Sequence, residues 1–576
     1  MKLALLLLSA ALFPPVRVGA ATFYVSSGGS DGGPGSLARP WRTIQHAADS
    51  LKPGDSALVG AGIYRESVEV RHGGTEKAPI TIAAQNGARV VVTGADRLDK
   101  GWERVPGTTD PIFRHDWGYV FPIGSRPDGS PQLTHPGDLE HEVVGRAEQV
   151  ISEGRLLRQV LRRDQLSQGT FYVDLAAKKL YLWLMGSGNP AEAEVEASTR
   201  DLWLAGAPSV SYVNLRGIRF RYAANHAQHG GLVINPPSGP GAGVSRGWVV
   251  SDCVMERANS SGGSFTGEGH TFLRCTFKDN GQLGFGTSRC DNTRMVECTI
   301  TRNNTKGYSV GWEAGGLKVT MSRGFVFDRC TVTNNRGTGI WYDIGNEKSE
   351  VKGCTIADND DAGIFYEISY GLHAHDNLIV NNAVARETPG GGWSMAGITL
   401  SSSEDCVVEH NTLIGNRDGI ALREQDRTTP RIDAPEGRQE VRILNRGHMI
   451  RANLVAYSQA YNVAFWLDTN FFGPHPSGGD ANRPVFEDPK TLGLTLEGNL
   501  LWPLPSRPNY LYGAAWRPKS RQLVSPADFA KASGIPTTDK VADPRLKDVT
   551  AGDYTLLPGS PAKAMGVGMR GTGARR

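Results

Sequence analysis

The sequence has little excess of either charge. Charged residues make up 21% of its 576 residues, and the formal net charge is only +3. Proteins that bind nucleic acid or an anionic membrane surface through their overall charge carry a much larger positive excess. The composition therefore predicts neither partner.

Long apolar runs are also scarce. The opening segment contains one, from Leu3 to Phe13, with Lys2 before it and Val18 and Ala20 after it. This order is typical of a secretory signal peptide, and the run is too short to span a bilayer. We therefore expect residues 1–20 to be removed, leaving a secreted or periplasmic protein without a membrane anchor.

Cysteine is rare, and its placement excludes two common uses. All seven cysteines lie between residues 253 and 406, none forms a C-x-x-C pair, and the 13 histidines show no zinc-ligand spacing. A disulfide framework would be spread along the chain, and an odd count leaves at least one thiol unpaired. From these residues we predict no metal site and no cofactor, and we look instead for a structural role.

The cysteines mark a repeat of similar segments. Each segment alternates apolar and polar residues and then passes an Asn- or Gly-rich turn. Segments in the same phase begin at Cys253, Cys275, Cys298, Cys330, Cys354, Asn377, Asn411 and Asn453. A unit this short cannot bury its own apolar face, so it must stack on the next one. The repeat predicts an all-β protein, a parallel β-helix in which Cys and Asn form internal ladders.

The rest of the chain departs from this repeat in three places. The segment "WRTIQHAADSLKPGD" predicts a short amphipathic helix that covers the open end of the β-helix, within a cap and first coils over residues 21–97. Hairpin patterns over 98–200 predict an inserted β-sandwich-like module. The β-helix that carries the site spans 201–475. Beyond it, 476–576 lose the repeat and are expected to pack on the β-helix or cap its far end.

Two consecutive coils carry an acid at the same point. "GIWYDI" begins at residue 339 and "GIFYEI" begins 24 residues later. Side chains alternate along a strand, so Ile340, Tyr342 and Ile344 are expected to point inward while Trp341 and Asp343 point outward. When the coils are aligned on the opening glycine, the fifth positions read Ser288, Gly311, Asp343, Glu367, Ser401 and Arg423. Asp343 and Glu367 are therefore predicted to be neighbours on the outer face.

Their predicted separation suits one kind of chemistry. Neighbouring strands lie ~4.8 Å apart, and retaining glycosidases hold their two carboxyl groups about 5 to 5.5 Å apart. Two like charges this close resist joint ionisation, which raises one pKa and lets an acid and a nucleophile coexist. Direct juxtaposition of like charges is also unfavourable in a sheet without a function.

Further residues are predicted to bind substrate around this pair. Trp341 and Phe365 offer apolar surface for a sugar ring, and Gly311 and Ser401 leave space beside the acids. Trp312, Glu313 and Lys318 surround Gly315-Gly316, where the backbone can approach a ligand closely. Arg423, with Glu424 and Asp426, follows two rungs beyond. The group around Trp312 could equally be a loop between two rungs, and the group around Arg423 could equally be solvated surface.

The motifs "WEAGGLKV", "NNRGTGIWYD" and "AGIFYEISYG" resemble those of secreted right-handed β-helix carbohydrate-active enzymes. They are most similar to the β-helical glycoside hydrolases with an inserted β-module, of the β-xylosidase type. The resemblance implies that Asp343 is the nucleophile and Glu367 the acid/base, acting on an oligosaccharide or polysaccharide. The specific motifs occupy about residues 307–371, and the sugar does not follow from them.

Two other functions fit the same pattern. A polysaccharide lyase or epimerase would bind Ca²⁺ through acids such as Asp343, Glu367, Asp360 and Asp361, and would use Lys318 or Arg423 as its base. Its groove should be rich in Lys and Arg, whereas the aligned column contains one Arg. A non-catalytic glycan-binding surface protein is the third possibility.

Overall fold

The computed structural model describes residues 19–121, 141–234, 243–384, 395–425, 427–432, 440–467, 489–516, 519–565 and 567. Three long sheets of 13 strands each form its main body. Each coil contributes one strand to each sheet, and nearly all neighbouring strands are parallel. The predicted right-handed parallel β-helix is confirmed.

The strands of the three sheets are given in chain order. Sheet 1 contains Thr22–Val25, Ser56–Val59, Ile80–Ala84, Val213–Arg216, Val249–Ser251, Thr271–Leu273, Arg294–Val296, Val326–Asp328, Glu350–Lys352, His373–His375, Val407–Glu409, Met449–Arg451 and Thr495–Glu497. Sheet 2 contains Val68–Val70, Leu204–Gly206, Gly230–Ile234, Ser261–Glu268, Leu283–Asp291, Gly315–Thr320, Thr338–Asp343, Ile364–Glu367, Ala396–Ser401, Asp418–Arg423, Val463–Trp466, Tyr512–Trp516 and Lys519–Leu523. Sheet 3 contains Gly62–Tyr64, Val90–Thr93, Ile218–Arg221, Val254–Glu256, Thr276–Lys278, Thr299–Thr301, Thr331–Thr333, Thr355–Ala357, Leu378–Val380, Thr412–Ile414, Leu454–Ala456, Leu500–Trp502 and Lys540–Val541.

The predicted ladders are present inside the coils. Asn335 donates from Nδ2 to Asn359 Oδ1 at 2.9 Å, and the same oxygen accepts the backbone N–H of Asn335. A second ladder changes from Cys to Asn, where the backbone N–H of Cys354 donates to Asn377 Oδ1. All seven cysteines are buried and free. The side-chain oxygen on each of these rungs therefore accepts hydrogen bonds from the rung before it, and this fixes the register in which the coils stack.

A short helix covers the first coil, as predicted. It spans Ile44–Ser50, begins after the N-cap residue Thr43, and buries Ile44, Ala47 and Ala48 in the core of the β-helix. The carboxylate of Glu66 accepts the first two free backbone N–H groups of this helix. The open end of the stack is thereby closed.

Residues 95–198 leave the coils and form two sheets of mainly antiparallel strands. One contains Ala95–Arg97, Val150–Ser152, Arg155–Leu156 and Val195–Ser198. The other contains Glu103–Arg104, Phe113–Asp116, Arg158–Gln159, Thr170–Asp174 and Lys179–Trp183. Side chains from both sheets share one core, and the coil after this module stacks directly on the coil before it, with Leu215 beside Ile82.

The repeat continues further than the sequence indicates. We expected it to end near residue 475, but another coil follows, because Asn499 Oδ1 extends the ladder from Asn453 at 2.9 Å. The two ladder residues are 46 positions apart, and because this interval is so long, the last coil cannot be recognised from the spacing of the repeat. A helix at Pro526–Ser533, capped by Ser525, then places Phe529 against the core.

The remaining elements are short. A hairpin pairs Arg427–Pro430 with Glu440–Ile443, and a second pairs Leu546–Asp548 with Asp553–Leu556. One further α-helix spans His141–Val144. The 3-10 helices among the described residues are Arg163–Gln165, Met185–Ser187, Pro190–Glu192, Val310–Trp312, Pro489–Leu492 and Pro561–Met565. Within the described part of the chain, no helix is long and apolar enough to cross a membrane. The signal peptide predicted over residues 1–20 lies almost wholly outside that part.

Candidate active site

Two columns of side chains run along the outer face of sheet 2. In the first, Lys318 pairs with Trp341 and Trp341 with Phe365. The second column contains Asp343 and Glu367. Each of them follows a core tyrosine, and because Tyr342 pairs with Tyr366, the two acids lie on adjacent rungs. The two acids therefore occupy neighbouring positions on strands that end at the same edge of the sheet.

The rung before Asp343 differs from the one predicted. Thr320 pairs with Asp343, whereas Gly311 belongs to the 3-10 helix Val310–Trp312 outside the strands. This coil is 32 residues long between Cys298 and Cys330. Its extra residues contain Gly307-Tyr308, which resembles the Gly-aromatic start of a rung although the strand begins only at Gly315. The prediction that Gly311 flanks the acids is therefore wrong. On the other side, Ser401 pairs with Glu367 as predicted, and Arg423 follows it.

The strands end at the acids because the chain turns there. Ile344 and Ile368 both have positive φ, at 59° and 39°. Ile344 was expected to point into the core, but it packs outside the coil with Ile368, Tyr370 and Ile443. That expectation failed because alternation holds only within a strand, and the strand ends at Asp343. Ile340 and Tyr342 are fully buried in the core, as predicted.

Asp343 is nearly buried and ion-paired. Its Oδ2 lies 2.8 Å from Lys318 Nζ, and the whole residue is 7% exposed. Its Oδ1 is buried and has no hydrogen-bond partner among the described residues. Asp343 is thus fixed by Lys318 through one carboxylate oxygen, while the other is left without a hydrogen bond.

Lys318 connects Asp343 to the loop before it. Its Nζ also lies 2.8 Å from Glu313 Oε1 and 4.1 Å from the centre of the Trp341 ring. Burial alone would lower the pKa of Lys318, but the carboxylates of Asp343 and Glu313 raise it above its usual value. Lys318 is therefore a permanent cation, which excludes it as a general base near neutral pH.

Glu367 has the opposite character. Burial, and next the charge of Asp343, raise its pKa from 4.5 to about 7, and Arg427 and Lys318 only partly oppose this shift. Trp341 Nε1 donates to Oε2 at 3.1 Å, and Arg427 lies 3.4 Å from Oε1. Glu367 therefore keeps its proton to a higher pH than an ordinary glutamate does.

The predicted aromatic contacts lie deeper than expected. Trp341 and Phe365 stack with ring centres 5.5 Å apart but are only 8% and 2% exposed, which leaves little ring surface for a sugar. Trp312 packs with Tyr308 and with Val144 of the inserted module. Trp341 contacts Lys318 through its ring face and Glu367 through Nε1, whereas Glu313 is partly exposed.

Arg423 lies two rungs beyond Glu367 and is buried. Burial lowers its pKa to about 10, while the charges of Glu367 and Asp361 act in the opposite direction. Glu424 has a structural role, because its carboxylate accepts hydrogen bonds from Ser402 Oγ at 2.9 Å and from the backbone N–H of Asn445 at 2.8 Å. Asp426, predicted beside them, lies outside the described residues.

Sequence reasoning missed Arg427. It belongs to the hairpin of Arg427–Pro430 and Glu440–Ile443, whose Ile443 packs against Ile368 and Tyr370 at the turn after the acids. The 42-residue interval between Asn411 and Asn453 indicates an insertion, but nothing in the sequence shows where that insertion folds back.

Comparisons with known proteins agree with the fold. A family model described as right handed beta helix region matches residues 241–395, and one described as Chondroitinase B matches residues 40–105. The Uncharacterized protein YwoF of Bacillus subtilis is 37% identical over 80 residues, 14% of this chain and 17% of YwoF. Pectate lyase PEL9 of Emericella nidulans is 35% identical over 101 residues, 17% of this chain and 22% of the lyase. The matches thus span less than a quarter of either relative.

One solved structure is similar over most of its length. It is the complex of XylC with xylose, and it matches with a TM-score of 0.63 at 17% identity, covering 85% of this chain and 86% of that chain. At this identity the likeness defines the class of fold, a right-handed parallel β-helix, and nothing finer.

Proposed function

We propose that the protein is a retaining glycoside hydrolase, with Asp343 as nucleophile and Glu367 as acid/base. The observation that carries the proposal is the unequal state of two carboxyl groups on adjacent rungs. Asp343 is paired with a cation at 2.8 Å, whereas the pKa of Glu367 is raised to about 7. Neighbouring carboxyl groups whose environments separate their pKa values are the arrangement that acid and nucleophile require.

In the first step, Asp343 attacks the anomeric carbon and Glu367 donates its proton to the departing glycosidic oxygen. The C–O bond to the leaving group breaks as the ester to Asp343 forms. Because the ester is neutral, the charge that raised the pKa of Glu367 is removed. Glu367, now ionised, is thereby suited to its next role as a base.

In the second step, Glu367 takes a proton from water while the water oxygen attacks the anomeric carbon and displaces Asp343. Lys318, 2.8 Å from Asp343 Oδ2, stabilises the carboxylate that is released. The configuration at the anomeric carbon is inverted twice and so retained.

We further propose that the substrate is an oligosaccharide or polysaccharide met outside the cytoplasm. The fold supports this class, and the local match to Pectate lyase PEL9 is consistent with it. Xylosides are the first substrates to try, since the motifs resemble β-xylosidases and the XylC structure of this fold is a complex with xylose.

The test uses a panel of aryl glycosides with the full chain and two variants. Asp343→Gly should lose activity by about 10³-fold or more and recover with azide, giving a glycosyl azide of inverted configuration. Glu367→Gln should keep a fast first step on substrates with good leaving groups, which need no proton, but should be slow in the second step, where Glu367 acts as the base. Should both variants hydrolyse the active substrate like wild type, the roles assigned here are wrong.

A second candidate, a polysaccharide lyase or epimerase, is favoured by one observation. Burial lowers the pKa of Arg423 to about 10, which moves it toward the range of a base. Against it, the Lys318 ion pair occupies the place where Ca²⁺ would need Asp343. A near-ultraviolet absorbing product that is lost on chelation would establish the lyase, and chelator-insensitive release of a sugar would exclude it.

A further inference from the structure

A cluster of possible metal ligands lies on the outer face of sheet 1. His373 and His375 are two residues apart on one strand, so both point outward while Ala374 between them is fully buried. Glu350 lies on the preceding rung, where it pairs with His373. The three residues thus come from two coils and share one surface.

Their donor atoms converge. One nitrogen of each histidine and one oxygen of Glu350 all lie within 4.8 Å of one another. His375 Nε2 is 3.2 Å from Glu350 Oε1, and the two imidazole rings stack with centres 4.1 Å apart. A metal ion at the centre of such a group needs only small side-chain movements to reach ligand distances of about 2.0 to 2.2 Å.

The surroundings of these atoms orient them further. His375 Nδ1 lies 2.7 Å from Asp376 Oδ2, a contact that holds the ring with Nε2 toward Glu350. A carboxylate behind a histidine in this way is typical of metal sites. Lys352 holds Glu350 Oε2 at 2.8 Å, which leaves Oε1 toward His375.

A carboxylate on the following rung holds the other histidine. Glu409 Oε1 lies 2.9 Å from His373 Nε2, and Arg451 binds the other oxygen of Glu409 at 2.6 Å. The converging donors are therefore two imidazoles and one carboxylate, which leave a fourth position for water. Such a set suits Zn²⁺ and similar transition metals rather than Ca²⁺, which prefers oxygen alone.

We propose that Glu350, His373 and His375 bind a divalent transition metal of the Zn²⁺ type, with water as the fourth ligand. The metal would join two successive coils on sheet 1. Asp343 and Glu367 lie on sheet 2, so the site is independent of the proposed glycosidase chemistry. Its role would be to stabilise the stack.

The sequence spacing did not reveal this site. Glu350 precedes His375 by 25 residues, so the ligands meet only when the coils stack. Zinc-ligand spacing within one continuous segment, on which the prediction of no metal site rests, does not detect ligands that lie on different coils.

The test is calorimetric titration of ZnCl₂ into the untagged full chain after treatment with EDTA. Wild type should bind one Zn²⁺, and His373→Gln/His375→Gln should weaken binding at least about tenfold. Glu350→Gln, which keeps the shape of the side chain, should also weaken it. His410→Gln is the control, since His410 is a partly buried histidine outside the cluster whose Nδ1 lies 3.0 Å from the carbonyl oxygen of Met565.

A second measurement follows the metal itself. Co²⁺ in the wild-type chain should give the intense visible absorption of four-coordinate cobalt, and the double variant should lose it. Absence of one-to-one binding in wild type would overturn the proposal. Equal affinity in the double variant and wild type would do the same.

Discussion

Lys318 and Asp343 form an ion pair that is buried on the outer face of the β-helix, with 2.8 Å between Nζ and Oδ2. The side chains are 7% and 10% exposed, so solvent screens their attraction little. Breaking such a pair by removing one partner leaves a buried charge without compensation. Removing Lys318 would therefore leave the carboxylate of Asp343 buried without its cation.

Replacing Lys318 by Met should reduce kcat/KM by about 10²-fold or more. The substitution keeps an apolar side chain of similar length but removes the cation, whose charge is one of those that lower the pKa of Glu367. The basic limb of the pH–activity profile should then move to higher pH, which a merely structural loss would not cause. Lys318→Arg, which keeps the charge, should lie between Lys318→Met and wild type. Unshifted limbs in Lys318→Met would contradict this account.

Activity should fall as pH rises through the pKa of Glu367. That pKa is raised to about 7 by burial and by Asp343, and only the protonated form donates to the leaving group. We expect the basic limb of kcat/KM near pH 7 for substrates with poor leaving groups. For nitrophenyl glycosides with good leaving groups the limb should weaken, because protonation matters less. A basic limb about two units higher would exclude Glu367 as the acid.

The same group should make stability depend on pH. Because the pKa of Glu367 rises from 4.5 to about 7 on folding, the folded chain holds a proton that the unfolded chain releases between these values. Its contribution to stability is complete below about pH 4.5 and is lost as pH rises through about 7. Glu367→Gln cannot ionise, so its free energy of unfolding relative to wild type should increase from about pH 5 to about pH 8. Denaturant unfolding at both pH values measures the change, and a constant difference would contradict it.

Gly345 should matter for activity beyond its effect on stability. It has φ of +65°, and a Cβ there would lie 2.5 Å from the carbonyl oxygen of Pro430, in the hairpin that carries Arg427. Gly345→Ala should therefore displace the hairpin and lower kcat/KM. Gly353→Ala is the matched control, since its φ is +60° but its Cβ would meet the flexible Arg329 side chain at 3.3 Å. Both should lose roughly 1 kcal/mol from backbone strain, and equal activities would refute the role of the hairpin.

The asparagine ladder should carry much of the stability of the stack. Asn335 bonds to both neighbouring rungs and is fully buried, so Asn335→Ala leaves several buried groups unsatisfied. We expect a loss of about 3 kcal/mol or more in the free energy of unfolding. Asn86→Ala, at an exposed turn, is the control and should change stability by less than about 0.5 kcal/mol. Similar losses in the two variants would show that the ladder contributes little.

The sequence allowed the stack and the neighbouring acids to be predicted because both follow from a repeat. Ladder residues such as Cys354 and Asn377 recur in phase, and similar strands place Asp343 beside Glu367. Thr320 and Arg427 could not be found, because an irregular coil disturbs the phase before Asp343 and a hairpin returns to the site from a distant insertion. The burial of Trp341 could not be predicted either, because Lys318 and Phe365, which cover it, lie on the two neighbouring strands.

The inserted module begins and ends at the same place on the β-helix. The backbone N–H of Thr199 donates to the carbonyl of Gly94 at 2.8 Å, and the coils on either side stack as if nothing lay between them. Chain segments joined in this way can be gained, lost or exchanged without altering the register of their host. The surface that the module contributes, including its contact with Tyr308, can therefore evolve separately from the coils that hold the acids.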